Sequence, residues 1–370
     1  MEIKILRSEI LRGLSLVQSI VERKTTMPIL ANVLLETRGK TLSITATDLE
    51  VGINSSYNAE VVSAGKVAIH ARSVYDIIKE LPEENVHIKV LDGNWVQISC
   101  GKSNFKIVGL ASDEFPTLPN KGDGESRRVE GSFLKDMIDK TSFAMSTDET
   151  RYNLNGVYID EKRGDKGSKV KMVATDGHRL SIVERDFKAG WNLKKGVIVP
   201  RKGIMELKKL CENGDAQIEL WMDEKHLMAY RDNVTLVVRL IDGQFPPYDQ
   251  VVPKKIKKVV SMTKDDLSRA LKRVSVLSTD RTRGVKFSFS PKNLDIFASN
   301  PDMGEAHEEI SARYKGESFE VGFNAKYVLE ALNSIVDDEA VLQLGDETSP
   351  CVLQSEKDSG FTHVIMPMRL

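Results

Sequence analysis

Apolar positions along the chain recur at two spacings. Helical spacing appears at Ile10, Leu14, Val17 and Val21, again at Leu134, Ile138, Thr141 and Met145, and again at Leu267, Leu271, Val274 and Leu277. A second helical set comprises Val74, Ile77, Ile78 and Leu81, then Ile204, Leu207 and Cys211, then Val328, Ala331, Leu332 and Ile335. Pro200 and Asn324 stand just ahead of two of these runs, where helix start signals belong. Segments between the helices alternate apolar and polar, as in Val86-His87-Ile88-Lys89-Val90 and Thr235-Leu236-Val237-Val238-Arg239, and predict strands.

The pattern also repeats on a longer scale. Leu42-Ser43-Ile44-Thr45-Ala46-Thr47-Asp48 returns as Val170-Lys171-Met172-Val173-Ala174-Thr175-Asp176, and more faintly as Leu294-Asp295-Ile296-Phe297-Ala298-Ser299-Asn300. Glu114-Phe115-Pro116 returns as Gln244-Phe245-Pro246. The period is roughly 120–130 residues, the size of a domain. Turn-rich Pro119–Ser126 and basic Pro253–Lys258 lie where linkers belong. Three units are expected, at residues 1–122, 127–253 and 254–370. Each reads as two halves of one helix plus strands, an α+β class with mostly antiparallel sheets.

Composition narrows the class. Hydrophobic residues make up 41% and charged residues 29%, which fits a water-soluble globular chain. A net charge of -1 means that any surface for nucleic acid must gather its basic residues locally. Cys100, Cys211 and Cys351 are far apart and read as reduced core thiols. The run Met1-Glu2-Ile3-Lys4-Ile5-Leu6-Arg7 carries charges where a signal peptide needs an apolar stretch, and no apolar run reaches membrane-spanning length. A cytoplasmic protein without membrane contact is expected.

Catalytic signatures are missing. The six histidines (His70, His87, His178, His226, His307 and His363) show no zinc-binding spacing. There is no phosphate-binding loop, dinucleotide fingerprint or nucleophile elbow. Asp176-Gly177-His178-Arg179 places a carboxylate near an imidazole, but Asp176 matches Asp48, where no histidine follows, and Asp-Gly is a turn signal. The phrase reads as a turn or binding surface. Met366-Pro367-Met368-Arg369-Leu370 is apolar and rich in methionine; it reads either as a last strand in the core or as a repackable partner site.

Arg151-Tyr152-Asn153-Leu154-Asn155-Gly156, Ala174-Thr175-Asp176-Gly177-His178-Arg179-Leu180, Val199-Pro200-Arg201-Lys202-Gly203, Gly322-Phe323-Asn324 and the Met366–Leu370 segment together resemble the β subunit of bacterial DNA polymerase III, the sliding clamp family. The resemblance runs over essentially the whole chain. It implies a head-to-tail homodimeric ring around duplex DNA, which gives the replicative polymerase its processivity. It implies no enzyme activity and no cofactor. A separate clamp loader opens such rings; replicative and translesion polymerases, mismatch-repair proteins and ligase dock through short apolar peptide motifs.

Matched positions place the implied peptide pocket at Leu154, Thr175, Gly177, His178, Arg179, Leu180, Pro246, Val251, Asn324, Tyr327, Val364, Met366, Pro367, Met368, Arg369 and Leu370. DNA contacts are implied at Lys24, Arg72, Tyr152, Asn153, Arg201 and Lys202; Asn153 departs from an aromatic that some members carry. The implied subunit interface sets Phe105 and Ile107 of one chain against Val276 and Leu277 of the next, with Glu305, Glu308 and Glu309 adding charge. Packing geometry suits two chains. Six helices roughly 8–10 Å apart, each roughly 5 Å in radius, leave a bore of about 9 Å, whereas twelve leave about 28 Å, enough for a duplex roughly 20 Å wide. Arg12, Arg269, Lys202 and Lys209 fall off the apolar helix faces, where a positive lining needs them. The competing expectation is a repeat-built peptide-binding scaffold that never encloses DNA.

Overall fold

The computed structural model describes residues 1–370 except 22–25, 123–124, 165–166, 192, 213–215, 279–282 and 370. Six α-helices form among the described residues: α1 (Arg7–Val17), α2 (Ala71–Glu80), α3 (Gly131–Asp139), α4 (Arg201–Leu210), α5 (Lys264–Val274) and α6 (Ala325–Ser334). They are the six that the apolar spacing predicts, but they are shorter. Val21, Thr141, Met145 and Leu277 continue the apolar rhythm beyond the helix ends; the last three lie in or beside the 3-10 turns Ser142–Ala144 and Ser275–Leu277. Thr141 shows why α3 stops contributing a regular face there. Its hydroxyl bonds back to the Met137 carbonyl at 2.7 Å, while the chain still buries Thr141 and Met145. Apolar periodicity reports what is buried, and the tightened turn after α3 buries side chains as a helix does.

Helix starts follow local chemistry. The Asn324 side chain accepts from the amides of Lys326 at 3.0 Å and Tyr327 at 3.3 Å, satisfying donors at the start of α6. In α5, Asp265 and Asp266 occupy the first turn and Lys272 and Arg273 the last, each sign at the end of the helix dipole that favours it.

By compactness the chain divides into two units. The first comprises Met1–Ser132 and Met205–Leu240. Its strands are all antiparallel, with Val51–Asn58 paired to Val234–Arg239 as the join between residues far apart in sequence. Ile3, Ile10, Leu14, Leu35, Ile44 and Ile88 are fully buried in its core. The second unit comprises Phe133–Ile204 and Ile241–Leu370. It contains an eight-stranded sheet, in which Arg179–Phe187 pairs with Phe361–Ile365, and a four-stranded sheet from Gly284–Ser290 to Phe319–Asn324. Phe287 and Phe323 meet edge to face at 5.3 Å in its core. Hydrogen-bonded sheets therefore run past the borders of the sequence repeat. The three cysteines are buried and none is in a disulfide, and burial pushes the Cys351 thiol up to about 12. Among the described residues no helix is long and apolar enough to cross a membrane, and no cluster of His, Cys, Asp or Glu is arranged to hold a metal.

Candidate functional site

A hairpin turn in the second unit organises the site. Strands Gly167–Thr175 and Arg179–Phe187 pair antiparallel up to Thr175 opposite Leu180, and Asp176, Gly177 and His178 make the connection. Asp176 Oδ1 accepts from the amides of His178 at 2.9 Å and Arg179 at 3.1 Å. Thr175 Oγ1 accepts from the Gly177 amide at 3.1 Å and donates to the Arg179 carbonyl. Gly177 sits at φ +89°, where a Cβ would be strained and would meet Arg151 Nη1 at 3.1 Å. The Asp176 carboxylate is thus committed to backbone amides and to Arg179. His178 is exposed and lies beyond it. That geometry serves a rigid turn, not an acid–base pair.

The C-terminal segment crosses this turn. Phe361–Ile365 pairs with Arg179–Val183, placing Val364 opposite Leu180 and Ile365 opposite Arg179. Beyond the strand, the Met366 amide donates to the His178 carbonyl at 2.9 Å, and the Met368 amide donates to the Gly322 carbonyl at 2.8 Å. Met366, Pro367 and Met368 are half-buried and Arg369 is exposed. Below them Leu180 and Val364 belong to an apolar cluster with Val173, Tyr248 and Val352, against which Tyr158, Ile182, Phe245 and Val252 pack. Tyr158 and Phe245 stack with ring centres 4.9 Å apart. Pro246 and Val251 flank the short turn Tyr248–Gln250; Val251 is exposed.

Arg179 is the electrostatic centre. Its side chain is 5% exposed and pairs with Asp176 at 3.0 Å and with Glu330. It also donates to the Phe143 carbonyl and lies 4.4 Å from the centre of the Tyr327 ring. Burial pushes the Tyr327 phenol up, and the Asp176 charge adds to that shift. Asn324 enters as the cap of α6, which carries Tyr327 and Glu330 on one face. Thr175, Gly177, His178, Arg179, Leu180, Asn324, Tyr327, Val364, Met366 and Met368 are therefore tied together by hydrogen bonds, packing or a shared helix. Leu154 is buried at the end of the turn Glu149–Leu154, whose Arg151 reaches the Asp176 carbonyl at 3.4 Å. Leu370 lies outside the described residues.

Residues that the sequence reading did not include are Glu330, Phe143 and Tyr248. Glu330 had one available signal: it lies three positions after Tyr327 on the same helix.

The residues expected to meet DNA have varied surroundings. Arg72 is exposed and ion-paired with Asp76 at 2.9 Å on α2, a surface pair that a phosphate can replace at little cost. Tyr152 is exposed, and the Asn153 side chain donates to the Gln244 carbonyl at 3.0 Å. Arg201 Nη2 donates to the carbonyls of Met145 at 2.9 Å and Ser146 at 3.0 Å; burial, and then the Arg179 charge, depress its pKa. Its side chain thereby fixes the segment that leads to Tyr152. Lys202 is half-buried, and Lys24 lies outside the described residues.

Among the described residues of this repeated α+β chain, a rigid turn, a buried ion-paired arginine and an apolar cluster thus meet in one place. Comparison with known proteins names its kind. The N-terminal, central and C-terminal domain models of the DNA polymerase III beta subunit match residues 1–119, 128–247 and 249–369. Over the full length of both chains it is 35% identical to the beta sliding clamp of Caulobacter vibrioides and 36% identical to that of Pseudomonas putida. Among solved structures, the sliding clamp from Bartonella birtlesii bound to griselimycin superposes with a TM-score of 0.96 at 34% identity, each chain covered completely. The Caulobacter crescentus pol III beta structure does so at 0.95 with 35% identity and the same coverage. The chain belongs to the DNA polymerase III beta subunit family, and its function is that of a DNA sliding clamp.

Proposed function

We propose that two copies of this chain join head to tail into a ring that encircles duplex DNA and gives a replicative polymerase its processivity, catalysing nothing itself. The observation that carries this reading is a pair of open sheet edges. In the first unit, strand Ser103–Leu110 pairs along its length with Trp95–Cys100, but on its other side only Gly109 and Leu110 have strand partners among the described residues. Phe105 lies opposite Ile98 and Ile107 opposite Val96, both fully buried, so the two side chains face the core side of the sheet. Phe105 is nevertheless 37% exposed. In the second unit, strand Gly304–Ser311 pairs with Asn293–Asn300 alone among the described residues. Nearby Val276 is 68% exposed.

Open edges with exposed apolar residues invite pairing, and a heterologous contact that closes on itself removes them. Charge matches this arrangement: Lys102 and Lys106 flank Phe105, and Glu305 and Glu309 are exposed on the other edge. Glu308 is held by Arg273 of its own chain, at 2.5 and 2.9 Å, so it braces the strand against α5. Arg12, Arg269 and Lys209 are exposed on the polar faces of their helices, available to line a bore. Duplex contacts are assigned to Lys24, Arg72, Tyr152, Asn153, Arg201 and Lys202; they meet phosphates and read no sequence, so retention weakens with salt.

The cleft formed by the Thr175–Arg179 turn, the Tyr248 cluster and the Met366–Met368 segment is read as the dock for short apolar peptides of polymerases, repair proteins, ligase and the clamp loader. Griselimycin, bound by the Bartonella clamp and by one from Pseudomonas aeruginosa, is assigned to this cleft. The reduced thiols fit a cytoplasmic setting.

Light scattering gives the dimer mass for the wild type and a monomer mass for the double variant Val276→Ala, Leu277→Ala; an unchanged dimer removes those residues from the interface. A His178→Ala protein that loses a hydrolytic activity present in the wild type overturns the non-catalytic reading.

A further inference from the structure

The Arg179 side chain ties three segments together: Asp176 in its own turn, the Phe143 carbonyl after α3, and Glu330 with Tyr327 on α6. Arg179 and Tyr327 belong to the implied pocket; Glu330 does not. Glu330 is the sixth residue of α6, and the sixth residue of α4 is also a glutamate, Glu206. Glu206 is buried whereas Glu330 is half-buried, and among the described residues Glu206 meets Ser19 Oγ at 3.1 Å and Lys209 Nζ at 2.8 Å. The strand position that carries Arg179 in the second repeat carries Val51 in the first: Val51 pairs with Val238 as Arg179 pairs with Ile365. The glutamate recurs, but among the described residues Glu330, and not Glu206, meets a buried arginine.

We propose that Glu330 is a positioning residue of the docking cleft, acting through Arg179. The proposal rests on the peptide-docking reading above. A guanidinium this buried needs opposing charge. Asp176 divides its carboxylate, one oxygen on Arg179 Nε and the other on the amides of His178 and Arg179. Glu330 supplies the second charge and holds the guanidinium over Tyr327, leaving Asp176 free to hold the turn. The His178 carbonyl at that turn anchors Met366, so the charge on α6 sets the placement of two cleft walls. With Glu330 neutral, Asp176 is drawn toward the guanidinium, and the amides it caps and the Met366 anchor loosen.

Amide hydrogen exchange on the ligand-free protein tests this, with Glu330→Gln and the charge-keeping Glu330→Asp as variants. Glu330→Gln is expected to speed exchange at the Arg179 and Met366 amides about tenfold, to leave the Glu50 and Val51 amides at their wild-type rates, and to raise the griselimycin Kd about tenfold. Glu330→Asp is expected to stay within about threefold of wild type on each readout. Unchanged exchange in Glu330→Gln, or equal effects of both variants, overturns the proposal. A wild type that does not bind griselimycin overturns the docking reading instead, and the exchange rates still decide the role of Glu330.

Discussion

The Thr47–Val51 turn and the Thr175–Arg179 turn are built alike and sit in unlike surroundings. In each, the aspartate accepts two backbone amides: Asp48 those of Glu50 at 2.9 Å and Val51 at 2.6 Å, Asp176 those of His178 and Arg179. In each, the threonine hydroxyl accepts the amide two residues on, at 3.0 Å from Leu49 and 3.1 Å from Gly177. Both middle residues have positive φ, 77° at Leu49 and 89° at Gly177. A fainter copy survives where Asn300 accepts the Asp302 amide at 3.0 Å. The turn is therefore scaffold. What separates the two regions is the residue that leaves the turn, a buried valine in one and a buried, doubly paired arginine in the other. A few side chains thus give one copy of a repeated frame an electrostatic centre that the other copy lacks.

The strongest way to break this comparison is to remove the arginine. Arg179→Ala leaves Asp176 and Glu330 facing each other without their cation; it is expected to cost roughly 3 kcal/mol in denaturant unfolding and to abolish griselimycin binding. Val51→Ala is expected to cost about 2 kcal/mol as a cavity while leaving that binding within about twofold. Equal losses of binding from both would erase the distinction.

Next in size is a pH effect at His363, whose counterpart on the strand paired with Val51–Asn58 is Leu236. His363 is fully buried, 5.3 Å from the Phe143 ring, and burial followed by the Arg179 charge pushes its pKa from 6.5 down to about 3. It stays neutral in the fold while the unfolded chain takes up a proton below pH 6.5. Its contribution to stability is therefore full above that pH and is lost progressively as pH falls toward 3. In thermal unfolding across that window, His363→Leu is expected to show a shallower fall of midpoint with acid; identical slopes would contradict the assignment.

Exchanging the turn residues has the smallest effects. Gly177→Ala is expected to cost about 1 kcal/mol, because alanine must adopt positive φ beside Arg151. Leu49→Gly is expected to change stability by less than about 1 kcal/mol, since the relief of φ strain is offset by a more flexible unfolded chain. Chemical denaturation of each variant checks both values.

Much of this was legible in the sequence because its signals are local. Six apolar stripes announced six helices, Asn324 announced the start of α6, and the Thr-Asp phrase announced its turn. Pairings between distant residues left no such trace. Arg179 and Glu330 are 151 positions apart, and nothing in either segment names the other. The pairing of Val51–Asn58 with Val234–Arg239 likewise carries only ordinary strand alternation, so sheets that ignore the repeat borders could not be read in advance. The end of α3 was misplaced because Thr141 and Met145 remain packed after the helix has ended.

Retention on nicked circular duplex DNA, after loading by an ATP-driven clamp loader, tests the ring most directly. The dimer is expected to stay with the circle through gel filtration and to be lost once the DNA is linearised, with the Val276→Ala, Leu277→Ala protein retained on neither. A wild-type protein that remains equally bound before and after linearisation, or on neither form, contradicts a closed ring around the duplex.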